Sequence, residues 1–392
     1  MPEQKIVIVD GARTPVGSFG GALKELPAHE LGAAAASAAL SRAGVAGEDV
    51  REVVMGCIGQ VGPDAYLARR VAMSAGLPAR TPAYTVNRLC GSGLQAIWSA
   101  AMEMRWNDLD ITLAGGAESM TRMPFYDFGA RNGYKLGDRT LVDGTVMMLT
   151  DPFHGIPMGI TAENVASKYG VSRLEQDEFA AESQRRAATP EAQAAFAEEI
   201  IPIEDGGRKP VTVSVDEHPQ PATSMETLAG LRPAFQKDGT VTAGNASGIN
   251  DGGAAVILAT ETAAAERGLT PLVSFEAVAT AAMEPELMGY APVLALRAVF
   301  ERTGTSPSDI DVVECNEAFA AQAVAVVRDA KLNPEKTNPY GGAIALGHPV
   351  GATGSILTLR AAKHLARTDG ELAIVTMCIG GGQALAALLR RV

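Results

Sequence analysis

An internal duplication constrains the fold of this chain more than any other feature. Residues 43–54 follow the pattern Ala-Gly-Val-x-x-x-Asp-Val-x-x-Val-Val, and residues 303–313 follow Thr-Gly-Thr-x-x-x-Asp-Ile-x-Val-Val. The same 260-residue offset separates Gly44 from Gly304 and Asp49 from Asp309. A repeat of this kind predicts two similar halves, each rich in β-α-β units. The alternative is that any two such units of an alanine-rich chain look alike.

The pattern around both copies of the motif is that of an α/β protein. Alanine-rich helical stretches alternate with short β-branched runs, which favours a sheet buried between helices. The predicted strands are Lys5–Val9, Glu52–Met55, Ile111–Ala114, Val312–Glu314 and Leu372–Met377. The predicted helices are Leu31–Ala43, Leu94–Trp106, Glu317–Ala330 and Thr353–Thr368.

The residues between the two halves have a different character. From about Met120 to Gly248, glycines and prolines are spaced irregularly, and a capping box of Ser172 and Glu175 marks one helix start. We therefore predict an inserted loop domain. The predicted division is residues 1–119 with 249–271 for the N-terminal core half, 120–248 for the insertion and 272–392 for the C-terminal core half.

Composition argues against several classes of protein. The chain has 392 residues, 47% of them apolar, and a formal net charge of −12, which leaves no electrostatic footprint for nucleic acid or anionic lipid. The apolar runs are too short for a signal peptide or a membrane span, and the four cysteines include no C-x-x-C pair. We expect a cytoplasmic protein without a disulfide framework and without nucleic acid or membrane as a partner.

The first candidate for chemistry is Cys90, which lies in the stretch Asn-Arg-Leu-Cys-Gly-Ser-Gly (87–93) just before a predicted helix. The positive end of a helix dipole and its free backbone N–H groups favour a thiolate. The flanking glycines allow a substrate carbonyl to approach the backbone closely. The alternative is an inert buried cysteine, the commoner fate of a free thiol.

Three further candidates lie at turns of the second half. His348 stands among glycines just before a helix and is suited to act as a base. Cys378 precedes three glycines at the end of a predicted strand, where open sheets bind ligands. Asn316, followed by Glu317, occupies the exit of an earlier strand. Each has a structural alternative: an ordinary histidine, a turn that needs small residues, and an asparagine that caps a helix.

Together, two cysteines, a histidine and an asparagine fall at the turns of a duplicated fold. One thiolate could accept an acyl group with the histidine as its base, and a second thiol could move the α-proton of another thioester while backbone N–H groups hold the oxyanions. Cys57 and Cys315 are predicted to be core residues. The remaining histidines show no repeated ligand spacing, so we expect no metal site; they are His29, His154, His218 and His364.

At these residues the chain resembles the thiolase family over essentially its whole length, and most closely the short-chain β-ketothiolases of the acetyl-CoA acetyltransferase type. The blocks that carry the resemblance are Asn87–Gly93, Gly115–Met120, Thr240–Gly248, Asn316–Ala320 and Gly347–Pro349. The resemblance implies two α/β halves that form five layers, α-β-α-β-α, with the inserted loop domain. It also implies a homotetramer built as a dimer of dimers.

The resemblance implies a role for each candidate. Cys90 would be the acylated nucleophile, His348 its activator, and Cys378 the acid and base at the α-carbon. Asn316 would hold a water that forms one oxyanion hole with His348, and the backbone N–H groups of Cys90 and Gly380 would form the other. The substrate-binding residues would be Ser247, Ala243, Met158, Met288, Phe319, Ala318 and Phe235.

The chain departs from the family's usual residues at several binding positions. Pro157 stands where related enzymes often carry a histidine that contacts pantetheine, and Gln220 where they often carry an arginine near the CoA nucleotide. Tyr290, Ala291 and Ala384 stand where smaller residues or glycine are common. These departures bear on acyl-chain preference and CoA affinity and touch none of the proposed reactive groups.

The function that the resemblance implies is that of an acetyl-CoA C-acetyltransferase. It would condense two acyl-CoA thioesters reversibly to 3-ketoacyl-CoA and CoA, with CoA as substrate or product and no other cofactor. A broader-chain 3-ketoacyl-CoA thiolase of fatty-acid degradation is the first alternative. A decarboxylating ketoacyl synthase is disfavoured because such enzymes lack a second cysteine at the final glycine turn. A non-catalytic protein that binds CoA or lipid on the same scaffold is the last alternative.

Overall fold

The computed structural model describes residues 4–392. Its strands are β1 (Ile6–Arg13), β2 (Gly17–Ser18), β3 (Glu52–Gly56), β4 (Ala83–Val86), β5 (Ile111–Ser119), β6 (Phe125–Tyr126), β7 (Val142–Asp143), β8 (Thr150–Asp151), β9 (Ile156–Pro157), β10 (Ile203–Glu204), β11 (Thr212–Val213), β12 (Asn250–Thr260), β13 (Val273–Ala282), β14 (Val312–Cys315), β15 (Leu372–Ile379) and β16 (Gln383–Arg391). Its α-helices are α1 (Ala28–Ala43), α2 (Leu67–Ser74), α3 (Ser92–Asn107), α4 (Gly144–Met148), α5 (Met158–Tyr169), α6 (Arg173–Ala187), α7 (Pro190–Glu199), α8 (Met225–Ala229), α9 (Glu261–Glu266), α10 (Ala291–Thr303), α11 (Ala320–Asp329), α12 (Ala343–Leu346) and α13 (Val350–Thr368).

The main sheet repeats one pairing pattern in its two halves. Its strand order is β14-β15-β16-β13-β1-β12-β5-β3-β4, with β2 paired to β12. From β1 outward the pairings to β12, β5 and β3 are antiparallel, antiparallel and parallel. From β13 outward the pairings to β16, β15 and β14 follow the same sequence. The halves meet where β1 and β13 pair antiparallel.

The duplicated motif has the same conformation in both copies, which confirms the repeat. Helix α1 ends at Gly44 and α10 ends at Gly304, with φ values of 65° and 68° that favour glycine. A short 3-10 helix follows in each copy, at 47–49 and at 307–309, and leads into β3 or β14. The sequence signature therefore encodes one helix-turn-strand unit used twice.

Alternate residues of the strands face different helices, which produces five layers. In the N-terminal half, Val53 and Leu113 pack with the outer helices α1 and α2, whereas Val54 and Ala114 pack with α3. In the C-terminal half, the outer face packs with α10, whereas the inner face, which includes Val375, packs with α13. Helices α3 and α13 lie together between the two halves of the sheet. The predicted α-β-α-β-α arrangement is confirmed.

The two inner helices make a close contact near their first turns. A Cβ atom at Gly354 would lie 2.3 Å from the backbone nitrogen of Leu94, and one at Gly93 would lie 2.8 Å from that of Ser355. Only glycine permits helix axes to approach this closely. Since α3 follows Cys90 and α13 follows His348, this contact brings the two residues to the same place.

Residues 120–248 contain more regular structure than the predicted loop domain. Helices α4 to α8 lie in this stretch, and α6 begins at the predicted capping box, where Ser172 Oγ accepts from the backbone of Glu175. The domain boundaries given above stay a prediction. Among the described residues, we find no helix with both the length and the apolar character needed to cross a membrane.

Candidate active site

One cavity of about 480 Å³ gathers most of the candidate residues. Those that line it are Cys90, His348, Ser247, Ala243, Met158, Met288, Ala318, Phe319 and Phe235. Gly380 lines an adjacent cavity that shares Cys90 with the first. Cys378 and Asn316 are buried behind the walls. The structure thus brings together residues that are up to 290 positions apart in the sequence.

A strained turn between β4 and α3 presents Cys90. Leu89 has a φ of 48°, a region that bulky side chains rarely occupy. The turn is closed by Ser92, whose Oγ accepts from the backbone N–H of Arg88 at 2.9 Å and donates to the Leu89 carbonyl at 2.6 Å. Such strain persists where surrounding bonds enforce it and is common at active sites. Here it directs Cys90 into the cavity at the start of a helix.

Cys90 is a neutral thiol in this structure, contrary to the expected thiolate. Burial raises its pKa to about 11, although the backbone N–H groups of Gly380 and of Cys90 itself lower it. The sequence shows the helix terminus but not the depth of the site, and desolvation outweighs the dipole. A nucleophile at this position therefore needs a base.

His348 is held in a form that can serve as this base. Its Nδ1 lies 2.7 Å from Thr353 Oγ1, and that hydroxyl donates its one proton to the Pro349 carbonyl at 3.1 Å. Thr353 must then accept from Nδ1–H, which leaves the lone pair on Nε2. Burial lowers the pKa of His348 to about 4, so the ring is neutral at pH 7.

Asn316 lies beside the reactive nitrogen of His348. Its Nδ2 is 3.4 Å from His348 Nε2. Its Oδ1 is buried and has no hydrogen-bond partner within residues 4–392, so it can hold a ligand or solvent molecule. The alternative of a helix cap is wrong, because α11 begins at Ala320 with Phe319 as its N-cap, not at Glu317.

Cys378 lies on the inner side of the same cavity. It is in β15, which extends to Ile379, and it packs with Met288, Ala318 and Phe319. Burial, followed by the nearby thiols of Cys90 and Cys315, raises the pKa of Cys378 well above its ordinary value. Burial favours the neutral form of this second thiol as well, so it can give a proton first and, as the strongly basic thiolate that results, take one back.

The three glycines after Cys378 form a hairpin turn. Residues 380–382 connect β15 to β16, which pair antiparallel up to Ile379 and Gln383. Gly381 and Gly382 have φ values of 78° and 79°, so this turn requires glycine. It places the backbone of Gly380 beside the sulfur of Cys90.

The loop that carries Ser247 is fixed to the second half of the core. The Ser247 N–H donates to the Ala318 carbonyl at 3.0 Å. Asn245 Nδ2 donates to the buried carboxylate of Asp177 at 2.9 Å, and Asn245 Oδ1 accepts from the backbone of Thr242 at 2.8 Å. This anchoring keeps a narrow, mostly apolar wall opposite Cys90.

A second cavity of about 380 Å³ is also lined by Cys90. The two cavities share Cys90, Leu149, Thr150, Met158 and Val350. The additional walls of the second cavity are mostly apolar and include Ile58, Leu89, Met147, Met148 and Phe153. Cys90 therefore borders two cavities.

The positions that depart from the family pattern are spread unevenly around the site. Pro157 lines the first cavity. Gln220 is exposed, and its backbone N–H bonds to Gln184. Tyr290 stacks on Tyr169 at 3.7 Å and donates to Asp329 at 3.0 Å. Neither Gln220 nor Tyr290 is among the residues that line the two cavities, whereas Met288, close to Tyr290 in the sequence, lines the first.

Several supporting residues were not identified from the sequence. Thr353 fixes the tautomer of His348, and Asn250 Oδ1 accepts from the His348 backbone at 2.9 Å. Glu118 accepts from the backbone of Gly351 at 3.0 Å. A signal existed for Asn250 and Glu118, because polar residues at the ends of apolar strands need a buried partner; Thr353 lies in the first turn of α13 and carried no such signal. The partner itself is not visible in the sequence.

The remaining candidates behave as core or surface residues. Cys57 and Cys315 are buried, as predicted. The Cys57 thiol lies 3.4 Å from Glu118, and burial raises its pKa. In the part of the chain that the structure describes, no three His, Cys, Asp or Glu side chains are grouped so as to hold a metal ion.

Comparison with known proteins agrees with this geometry. Residues 6–262 match the family model of the thiolase N-terminal domain, and residues 269–391 match that of the C-terminal domain. Beta-ketothiolase BktB of Cupriavidus necator is 49% identical over 392 residues, covering 99% of this chain and 100% of that protein. An acetyl-CoA acetyltransferase of the same organism is 45% identical over 389 residues, covering 98% and 99%.

Solved structures of two related enzymes also match this chain over almost its whole length. The crystal structure of human mitochondrial 3-ketoacyl-CoA thiolase in complex with CoA has a TM-score of 0.95 at 43% identity, covering 99% of this chain and 98% of that one. The Bacillus anthracis acetyl-CoA acetyltransferase has a TM-score of 0.97 at 40% identity, covering 100% and 99%. The chain therefore belongs to the thiolase family, and it is an acyltransferase.

Proposed function

We propose that this protein is an acetyl-CoA C-acetyltransferase, which condenses two molecules of acetyl-CoA to acetoacetyl-CoA and CoA and runs the reverse thiolysis. The observation that carries the proposal is the group of three side chains around one cavity: the Cys90 thiol and the neutral base His348 line it, and the Cys378 thiol is buried close to that of Cys90. A relative named acetyl-CoA acetyltransferase and the CoA complex of a structural neighbour support CoA thioesters as substrates.

In the first half of the reaction, His348 Nε2 takes the proton of Cys90 as the sulfur attacks the carbonyl carbon of acetyl-CoA. The backbone N–H groups of Cys90 and Gly380 stabilise the oxyanion. As the C–S bond of acetyl-CoA breaks, Cys378 gives its proton to the leaving CoA sulfur. Acetylated Cys90, free CoA, and an ion pair of imidazolium and Cys378 thiolate result. Because the two charges arise together, the buried site stays neutral overall.

In the second half, the Cys378 thiolate removes a proton from the α-carbon of another acetyl-CoA. Protonated His348 and a water held at Asn316 stabilise the enolate oxygen. The enolate carbon attacks the Cys90 thioester, so that a C–C bond forms and the C–S bond breaks. Cys90 regains its proton from His348, and acetoacetyl-CoA leaves. Both thiols and the imidazole return to the neutral forms that burial favours.

The test is CoA-dependent thiolysis of acetoacetyl-CoA and of 3-ketohexanoyl-CoA by the same purified protein at matched concentrations. Efficient cleavage of acetoacetyl-CoA with a strong preference for it is the expected result. Failure to cleave either substrate would contradict the proposal and favour a protein that binds CoA or lipid without reaction.

The second cavity favours a broader acyl-chain range as the alternative function. Its apolar walls lie beside Cys90 and can accept an acyl tail. Ile58→Phe fills this cavity and should lower kcat/KM for 3-ketohexanoyl-CoA by about tenfold, the cost of one to two methylenes of lost space, while acetoacetyl-CoA is unaffected. Val146→Phe, which adds bulk to the first cavity only, is the matched control and should affect both substrates equally.

We also propose the homotetramer. Exposed apolar side chains are concentrated in residues 125–142, where Phe125, Phe128, Leu136 and Leu141 are each more than half exposed. Large apolar side chains left exposed in this way favour an association surface in this stretch. Light scattering after size-exclusion chromatography should give four times the chain mass, and a monomer would contradict the proposal. The cytoplasmic location stays a prediction.

A further inference from the structure

The mechanism leaves one buried carboxylate beside the reactive groups without a role. Glu317 directly follows Asn316 and is 1% exposed. Its carboxylate accepts hydrogen bonds from Ser183 Oγ at 2.7 Å, Asn338 Nδ2 at 2.7 Å and the backbone N–H of Ile344 at 3.2 Å. These donors come from three separate parts of the chain, so the carboxylate joins them.

One of the three joined segments leads to His348. Ile344 lies in α12, four residues before His348. The approach is tight, because a Cβ atom at Gly342 would lie 2.3 Å from the carboxyl carbon of Glu317. Glycine at 342 therefore permits the contact between the loop and the carboxylate.

The carboxylate is also linked, through Asn338, to the end of β14, which directly precedes Asn316. Asn338 donates to the Cys315 carbonyl at 2.8 Å and accepts from the Cys315 N–H at 2.8 Å, and the same amide donates to Glu317. Asn338 holds a φ of 48° in this position. The end of β14, and with it Asn316, is thus locked to the same carboxylate.

The loop from 342 to 351 is also held by Ser183 and Gln184 of α6, which bond to the backbone of Gly342 and Ile344, and by two acceptors nearer to His348. Asn250 accepts from the His348 N–H, and Glu118 accepts from the Gly351 N–H. Neither of these acceptors is next to Asn316 in the sequence. Glu317, in contrast, links the loop of His348 directly to Asn316, which stabilises the enolate oxygen together with His348.

We propose that Glu317 is a positioning residue that sets the separation of Asn316 Nδ2 and His348 Nε2, and so sets the site that stabilises the enolate. This inference rests on the proposed function. It predicts that weakening the Glu317 contacts lowers kcat and leaves KM unchanged, because the bonds that hold the loop of Ser247 end on the Ala318 backbone and on Asp177 and not on this carboxylate. A shift of about 1 Å between reacting groups typically costs up to 100-fold in rate.

The test compares Glu317→Gln with Glu163→Gln in acetoacetyl-CoA thiolysis. Glu163 is also buried, and it accepts from Thr240 and Val241 at 2.8 Å, which anchors the substrate loop instead. We expect a fall in kcat of tenfold to 100-fold with constant KM for Glu317→Gln, and a raised KM with nearly constant kcat for Glu163→Gln. A purely structural role would make the two variants alike.

A second variant keeps the carboxylate and moves the loop. Gly342→Ala places a methyl group against Glu317 and should also lower kcat without raising KM. Gly47→Ala is its control, since a Cβ atom there meets nothing closer than 3.5 Å. Wild-type kcat in folded Glu317→Gln, or in Gly342→Ala if the first variant is insoluble, overturns the inference. Absence of thiolysis in the unmodified protein would instead refute the proposed function.

Discussion

Replacement of Thr353 by valine removes the hydroxyl that fixes the tautomer of His348 and keeps a side chain of similar shape. In the native site, Thr353 Oγ1 accepts from Nδ1–H at 2.7 Å, and both residues are buried. Without the hydroxyl, the reactive tautomer carries an unsatisfied Nδ1–H. The other tautomer carries its proton on Nε2 and cannot accept one from Cys90.

The size of the effect follows from the cost of that unsatisfied group. A buried donor without a partner costs about 1–3 kcal/mol, which corresponds to a loss of about fivefold to 150-fold in the population of the reactive tautomer. We therefore expect acylation of Cys90 in Thr353→Val to be slower by this factor. The second half of the reaction should change less, because His348 is then protonated on both nitrogens.

The assay is the pre-steady-state release of CoA when excess acetyl-CoA is mixed with enzyme. Thr353→Ser keeps the hydroxyl and is the control, with a burst rate within about twofold of the native rate. A native burst rate in folded Thr353→Val would refute the reasoning, since it would show that Nδ1 does not depend on this acceptor.

Two further predictions concern titration. Since burial raises the pKa of Cys90 to about 11, the rate of alkylation of Cys90 by iodoacetamide in Cys378→Ala should rise with pH to a midpoint well above 9; a midpoint near 7 would mean that a thiolate is present. Glu314 is buried with no hydrogen-bond partner in residues 4–392, and burial raises its pKa to about 8. The unfolded chain loses this proton near pH 4.5 and the folded chain only near pH 8, so the folded state binds more protons and stability falls across that window. Glu314→Gln should remove this fall. Between pH 5 and pH 9 the free energy of unfolding, measured in urea, should therefore fall by about 2–5 kcal/mol less in the variant than in the native protein. An unchanged pH dependence would contradict the assignment.

The repeated core was predictable because its signal is local. The Gly44 and Gly304 helix ends need a left-handed conformation, and the β-branched runs after them form strands in both halves. Strand β16, however, was not predicted: its sequence, Gln-Ala-Leu-Ala-Ala-Leu-Leu-Arg-Arg, has the composition of a helix. Pairing with β13 and β15 on both sides overrides this preference.

The candidate site was predictable in its residues but not in their protonation. Cys90, His348 and Cys378 were identified by their places at glycine-rich turns, and the structure brings them to one site. The expected thiolate at Cys90 disagrees with the effect of desolvation, which raises the pKa of this thiol to about 11 and which the sequence does not show. The contacts of Glu317 and Thr353 likewise depend on segments distant in the sequence, so only the folded chain reveals them.

Acetylation of Cys90 is the most direct test of the central claim. The protein is incubated with acetyl-CoA, quenched in acid and digested, and the peptides are read by mass spectrometry in the native form, Cys90→Ala and Cys378→Ala. We expect a thioester on Cys90 in the native protein and no acetylated peptide from Cys90→Ala. In Cys378→Ala the thioester should form more slowly, because the leaving CoA loses its proton donor, and should then persist because condensation is blocked. A native protein without acetyl on Cys90, or a Cys378→Ala variant that still forms acetoacetyl-CoA, would contradict it.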